Sequence, residues 1–335
     1  MKGLLDKLML QEDLTPQEAT DAMDTLMTGQ ATPAQVAAFL TALRMKGETV
    51  EEISAFAQVL RGRASRVTTG RPVIDIVGTG GDGTNTFNIS TAAAFVTAAA
   101  GMPVAKHGNR AASSRCGTAD VLEALGVNIT LSPAHAAACL ESTGICFLFA
   151  QTYHDSMRHV AQTRREMGIR TVFNLIGPLS NPAFVEHQLL GVPSDELVAP
   201  MARVLSNLGV RHAMAVHGED GPDELTIGGS TLVAEVVGGV LSEYRVRPED
   251  FGLTRSPLQS VRGGDAAENA AILRAVLSGE KGPRRDVVLL NAGAALRVAD
   301  RAGSIDEGIV LARSAIDTGR ALATLEAYAA ASNRA

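Results

Sequence analysis

Two hydrophobic periodicities divide the chain. Over residues 1 to about 65, apolar positions return every three or four residues, at Leu4, Leu8, Ala22, Leu26, Val36, Phe39, Leu40, Leu43, Ile53 and Phe56. That spacing lines one face of a helix. Thr15-Pro16-Gln17-Glu18 and Thr32-Pro33-Ala34-Gln35 each set Thr at the cap, Pro at the first helical position and Glu or Gln at the third, a start signal that satisfies free backbone N–H groups. The segment predicts a small all-helical domain over 1–65. From Arg71 onward the apolar residues come in short runs, which predict strands at 73–77, 102–105, 145–149, 189–192, 213–216, 232–237 and 287–290. Helical spacing recurs between most of them, at 90–100, 119–125, 133–141, 198–208 and 266–277. Alternating strands and helices predict an α/β domain over 70–335, with a largely parallel central sheet and flanking helices.

Charge and composition narrow the function. Thirty Lys and Arg against 36 Asp and Glu give a net charge of −6 over 335 residues, which argues against a chain built to coat nucleic acid or an anionic membrane. Cys116, Cys139 and Cys146 have no metal-ligand spacing, and their odd count suits a reducing, cytoplasmic setting. The opening MKGLLDKLMLQED mixes acids into its apolar residues and does not read as a signal peptide. The longest apolar stretch, near 92–105, is interrupted by Thr97, Gly101 and Pro103. It falls short of the roughly 20 residues a bilayer requires.

Four segments carry candidate chemistry. Residues 78–91, GTGGDGTNTFNIST, follow a predicted strand and open a predicted helix. Their glycines let the backbone approach an anion, and the helix aims free N–H groups at it. Gly78, Gly80 and Gly83 also fit a dinucleotide fingerprint, but the next strand ends in Lys106-His107 where an NAD site wants an acid, leaving only NADP open. Asp82 would repel a bare phosphate and suits sugar hydroxyls or water around a metal ion. The second segment, KHGNRAASSRCGTADVLEALG at 106–126, reaches the same sheet edge. Lys106 can neutralise a phosphate there, and Ser113 and Ser114 can cradle one. In the third, Arg164 can fork onto the carboxylate of an aromatic acid, whereas helical Arg158, Arg164 and Arg165 otherwise read as solvated surface. The fourth, Asp223-Glu224, is either a solvated turn or a pair of hard oxygen ligands for Mg²⁺. His135, His187, His212 and His217 show no obvious partner.

Together these runs resemble the anthranilate phosphoribosyltransferase family. The likeness extends through 147–182, GPDELT at 221–226 and LLNAGAAL at 289–296, and so covers nearly the whole chain. It implies transfer of the 5-phosphoribosyl group of phosphoribosyl pyrophosphate (PRPP) to anthranilate, in tryptophan biosynthesis, by a homodimer whose helical domain also takes in residues near 165–185. For PRPP the implied contacts are Gly78, Gly81, Asp82, Thr86, Asn88, Ile89, Ser90, Thr91, Lys106, His107, Gly108, Asn109, Arg110, Ala111, Ala112, Ser113, Ser114 and Thr118. For anthranilate they are Gly78, Asn109 and Arg164, with His107, His154 and Pro178 shaping the pocket. Two Mg²⁺ ions are implied at Asp223 and Glu224, one of them within reach of Ser90. No general base is implied. Ala111, Cys116 and Thr118 stand where the family pattern has serine, and Asp155-Ser156 follows His154 where it has proline. Three alternatives remain beside this reading: a pyrimidine nucleoside phosphorylase on the same scaffold, a nucleic-acid-binding paralogue without activity, and an NADP oxidoreductase.

Overall fold

The structure, a computed structural model, describes residues 1–111 and 115–334. Its first four elements are helices: α1 (Lys2–Met9), α2 (Pro16–Met27), α3 (Pro33–Lys46) and α4 (Val50–Arg63). Thr15, Thr32 and Thr49 cap the last three, each in a reciprocal capping box with Glu18, Gln35 or Glu52. Glu52 does more than cap. Fully buried, it accepts hydrogen bonds from the N–H groups of Leu14 and Thr49, both at 2.8 Å, and from Lys46 at 3.0 Å. It thereby ties α4 to the loop before α2 and to the end of α3.

Seven strands form one sheet: β1 (Ile74–Gly78), β2 (Val104–Gly108), β3 (Ile145–Phe149), β4 (His187–Gly191), β5 (His212–Gly218), β6 (Thr231–Val237) and β7 (Val240–Val246). The spatial order is β3-β2-β1-β4-β5-β6-β7. The first five run parallel, as expected, and β6 and β7 add an antiparallel edge. Between and after the strands come α5 (Ile89–Ala99), α6 (Thr118–Ala124), α7 (Pro133–Thr143), α8 (Ala150–Tyr153), α9 (Arg158–Met167), α10 (Val172–Ile176), α11 (Asp195–Asn207), α12 (Ala266–Leu277), α13 (Pro283–Val298), α14 (Ile305–Asp317) and α15 (Arg320–Ser332).

Two expectations need correction. Residues 287–290 are not a strand but the middle of α13, a helix buried nearly all round. A short apolar run carries no period that separates a buried strand from a buried helix; the start signal was Pro283, at the first helical position. The strand β7 was not anticipated, because its sequence VLSEYRV is largely exposed; Gly238-Gly239, both at positive φ, turn the chain into it.

Each face of the sheet carries its own apolar cluster. Leu189, Met214, Val216 and Val233 join α5, α7 and α13 on one face. Their neighbours Leu190, Ala213, Ala215 and Ala234 point to the other, where they meet α11 and the residues of α1–α4, the period-two alternation of a pleated strand. Val160 of α9 and Val172, Phe173 and Ile176 of α10 also enter that second cluster. Helices α9 and α10, which follow β3 in the chain, are therefore held by α2, α3 and α4.

Candidate active site

Parallel strands bring their C-terminal ends to one edge, and the candidate segments meet there. The loop from β5 to β6 folds back across β1 and β4. A Cβ on Gly78 would stand 2.2 Å from Asp223 Oδ2, and one on Gly191 only 1.5 Å from the Asp223 carbonyl oxygen. Glycine at the ends of these two strands is what lets the acid pair approach. Asn291 of α13, buried, brackets the loop from behind, accepting from Leu225 N–H at 3.1 Å and donating to Leu225 O at 2.9 Å. Gly80 N–H donates to Asp223 Oδ2 at 2.6 Å, and Ser90 N–H, in the first turn of α5, donates to Glu224 Oε1 at 3.2 Å.

Burial governs the charge of this group. Desolvation, then the nearby Asp82 carboxylate, raises Asp223 to about 7. Glu224 is pushed well above the usual carboxylate range, first by desolvation and next by Asp223. Its Oε2 is buried with no hydrogen-bond partner among the described residues. Clustered acids with an unsatisfied buried oxygen fit a bound cation. Among the described residues no group of three or more His, Cys, Asp or Glu side chains is arranged to hold a metal. The donor set thus suits an ion that takes few protein ligands and completes its shell with water and substrate oxygens, as Mg²⁺ does. Lys106 supplies the opposite charge. It is buried, donates to Ile76 O and, at 3.3 Å, to Ser90 Oγ. Desolvation lowers its pKa while Asp75 and then Glu224 and Asp223 oppose the shift.

The cavity at this edge has a volume of about 810 Å³. The acid pair, Ser90, Gly78, Gly81, Asp82, Thr86, Asn88, Lys106, His107, Gly108, Asn109, Arg110, Ala111 and Thr118 line it, as do Arg164, His154 and Pro178. Arg164 extends from α9 over the ring of Phe173, 4.7 Å from its centroid, half-buried and with no ion-pair partner among the described residues. His107 and His154 face each other with ring centroids 5.1 Å apart. Burial lowers both, His154 to about 4, so both are neutral near pH 7. Not every implied PRPP contact turns a free side chain to the cavity. Ile89 and Thr91 do not line the cavity; both are buried, Ile89 in the apolar core, because one helical turn cannot aim consecutive side chains to the same side. The Arg110 guanidinium is engaged by Asp120 at 3.0 Å and Glu123 at 2.6 Å. Ala112, Ser113 and Ser114 lie outside the described residues.

Other residues were missed. Asp75, fully buried within β1, accepts from His107 N–H at 3.2 Å and from Asn181 Nδ2 at 2.8 Å, bracing the strand that presents Lys106 and His107. Desolvation raises it to about 6. An acid inside the apolar run 73–77 was the available signal. Phe173 and Arg170 had none, since each reaches the cavity only through the packing of α9 and α10. The histidines without obvious partners have them. His212 Nδ1 and Nε2 lie 2.8 Å from Asp300 and from Glu235. His135, His187 and His217 each contact a backbone carbonyl, at 3.2, 2.8 and 2.8 Å. All three cysteines are buried, and desolvation raises the Cys116 thiol to about 11. Among the described residues no helix is long and apolar enough to cross a membrane.

The comparisons with known proteins agree over the full length. The profile described as glycosyl transferase family, a/b domain, matches residues 70–322, and that described as glycosyl transferase family, helical bundle domain, matches 2–64. The chain is 57% identical to the anthranilate phosphoribosyltransferase of Symbiobacterium thermophilum, across 97% of this chain and 96% of that one. It is 53% identical to the Rubrobacter xylanophilus enzyme of the same name, across 100% and 98%. The crystal structure of the Thermus thermophilus anthranilate phosphoribosyltransferase superposes with a TM-score of 0.94 at 46% identity, covering 99% of both chains. The Saccharomyces cerevisiae enzyme in complex with PRPP and Mg superposes at 0.90 with 31% identity, covering 98% of this chain and 97% of that one. The nucleoside phosphorylase, nucleic-acid and NADP readings find no support in these likenesses. By its sequence, its fold and the meeting of its loops, the chain belongs to the anthranilate phosphoribosyltransferase family of glycosyl transferases.

Proposed function

We propose that the chain joins the 5-phosphoribosyl group of PRPP to the amine of anthranilate, forming N-(5-phosphoribosyl)anthranilate and pyrophosphate, as a magnesium-dependent step of tryptophan biosynthesis. One observation carries the reading: a single cavity unites the glycine loop, Lys106 and the buried acid pair with Arg164, a cation resting on an aromatic ring. The first group suits a sugar pyrophosphate and the second an aromatic carboxylate.

Asp223 and Glu224, with Ser90, would hold Mg²⁺, two ions in this proposal. When bound, the metal neutralises charge on the pyrophosphate leaving group. The amides of 78–83, the start of α5 and Lys106 add fixed positive potential where that charge collects. The bond from the anomeric carbon to the pyrophosphate oxygen breaks, and the bond to the anthranilate nitrogen forms from the opposite face. One amine proton is then released. Anthranilate nitrogen is uncharged near pH 7, and His154, with its pKa held near 4, is a weak base; no general base is assigned. Neutral His107 and His154 line the same cavity as Arg164, and holding two substrates in line provides much of the remaining rate.

The chain divides in this proposal into a helical domain, 1–65 with a contribution near 165–185, and an α/β domain over 70–335. The helical domain mediates a cytoplasmic homodimer. The deciding experiment mixes protein, PRPP, Mg²⁺ and anthranilate. Anthranilate fluorescence should fall in step with pyrophosphate release, and chelation of the metal should stop both. Phosphorolysis of thymidine or uridine without any use of PRPP would overturn the reading.

A further inference from the structure

Arg170 lies in the connection between α9 and α10, and its side chain crosses to the glycine loop. Nη1 donates to Gly80 O at 2.9 Å. A Cβ on Gly81 would come within 1.2 Å of the same nitrogen, so the guanidinium packs directly on the loop backbone. Nη2 is buried and has no hydrogen-bond partner among the described residues, while the residue lines the cavity. A buried guanidinium nitrogen without an acceptor is uncommon and calls for a reason. The partner it lacks is an oxygen anion, and its position says which. Gly80 is held from two directions, its N–H on Asp223 Oδ2 at 2.6 Å and its carbonyl on Arg170. Arg170 therefore stands across Gly80 from Asp223 of the acid pair. Arg164 is anchored elsewhere, over Phe173.

We infer that Arg170 is a leaving-group-binding residue, gripping the glycine loop with one guanidinium nitrogen and a pyrophosphate oxygen with the other. A planar fork can make both bonds at once; a lysine ammonium would have to choose between them. The role also makes Gly81 a requirement of the site, since any side chain there would displace the guanidinium. The inference rests on the PRPP reading of the cavity and extends it to a residue of the α9–α10 connection.

The test uses full-length protein carrying Arg170→Gln or Arg170→Lys. Calorimetric titration with magnesium pyrophosphate is read beside KM for PRPP and for anthranilate, and thermal melting without ligand monitors the fold. Arg170→Gln should weaken pyrophosphate and PRPP about tenfold or more, the worth of one hydrogen bond to a charged group. Anthranilate KM should stay within about twofold. Arg170→Lys should recover part of the loss. Unchanged pyrophosphate affinity in a folded Arg170→Gln protein overturns the inference, and so does a loss confined to anthranilate. If Arg170→Gln does not fold, the same ratio measured in Arg170→Lys decides. Wild-type protein that binds neither PRPP nor magnesium pyrophosphate would instead sink the PRPP reading itself.

Discussion

Burial makes a carboxylate hold its proton, and the acid pair shows the consequence even with Lys106 nearby. Desolvation, with Asp82 nearby, holds Asp223 at about 7. A divalent ion must displace that proton to bind, so acid favours the protonated, metal-free form. Apparent Mg²⁺ affinity should fall as pH drops below about 7, by about tenfold per unit for each proton displaced. Magnesium titrations of turnover across that range check it. Asp223→Asn with Glu224→Gln should flatten the dependence, raise the magnesium requirement and lower turnover; unchanged kinetics at limiting Mg²⁺ would remove the pair from the metal site. Arg164 answers to the other substrate. Its cation has no ion-pair partner among the described residues and stands on Phe173. Arg164→Ala should raise anthranilate KM about tenfold or more and leave PRPP KM nearly unchanged. Equal losses for both substrates would count against it.

At the scale of elements, one acid holds the helical segment together. Glu52 joins three pieces of chain through the N–H groups of Leu14 and Thr49 and through Lys46, whose side chain is only 3% exposed. Truncation would leave the buried N–H of Leu14 without its acceptor, while Lys46 would keep Asp13 at 2.7 Å. Glu52→Ala should therefore cost about 1–3 kcal/mol, the penalty for leaving a buried donor without its acceptor. The ion pair of Arg158 with Asp155 has side chains 64% and 76% exposed. Asp155→Ala should cost less than about 1 kcal/mol. Urea midpoints of the two variants, taken together, test whether burial or ion pairing as such sets the stability. A small Glu52→Ala effect would mean the helical segment relaxes around the loss.

For the whole molecule, the feature that matters is the sharing of one apolar cluster between α1–α4, α9, α10 and one face of the sheet. Arg164, Arg170 and Phe173 thus belong to helices or connections whose position the N-terminal helices fix. Three large apolar side chains remain on the outside of that segment: Met9 at 66%, Leu10 at 72% and Met45 at 75% exposed. They sit at the ends of α1 and α3, which pack together. Such a patch is the kind a partner surface covers, and it agrees with the proposed homodimer. Sedimentation should find a dimer for the wild-type chain and a monomer after Leu10→Glu with Met45→Glu. A wild-type monomer, or an unaltered dimer in the double variant, would place the interface elsewhere or remove it.

What the sequence by itself determined was local. Thr15 and Thr32 with their prolines started α2 and α3 where the cap pattern put them, and the run 145–149 became β3 with the same bounds. The glycine loop, the Lys106 segment and the acid pair were legible as chemistry because their residue types crowd within a few positions. Tertiary structure decided the rest. The run 287–290 became helix, since burial on all sides erases the alternation that distinguishes a strand. Only the folded chain showed that Gly191 makes room for Asp223, that Arg170 rests on Gly81, and that His212 lies between Asp300 and Glu235. Gly80 and Asp223 are 143 residues apart. Backbone preference reaches only a turn or two along the chain, and contacts at that separation are chosen by how helices and strands pack.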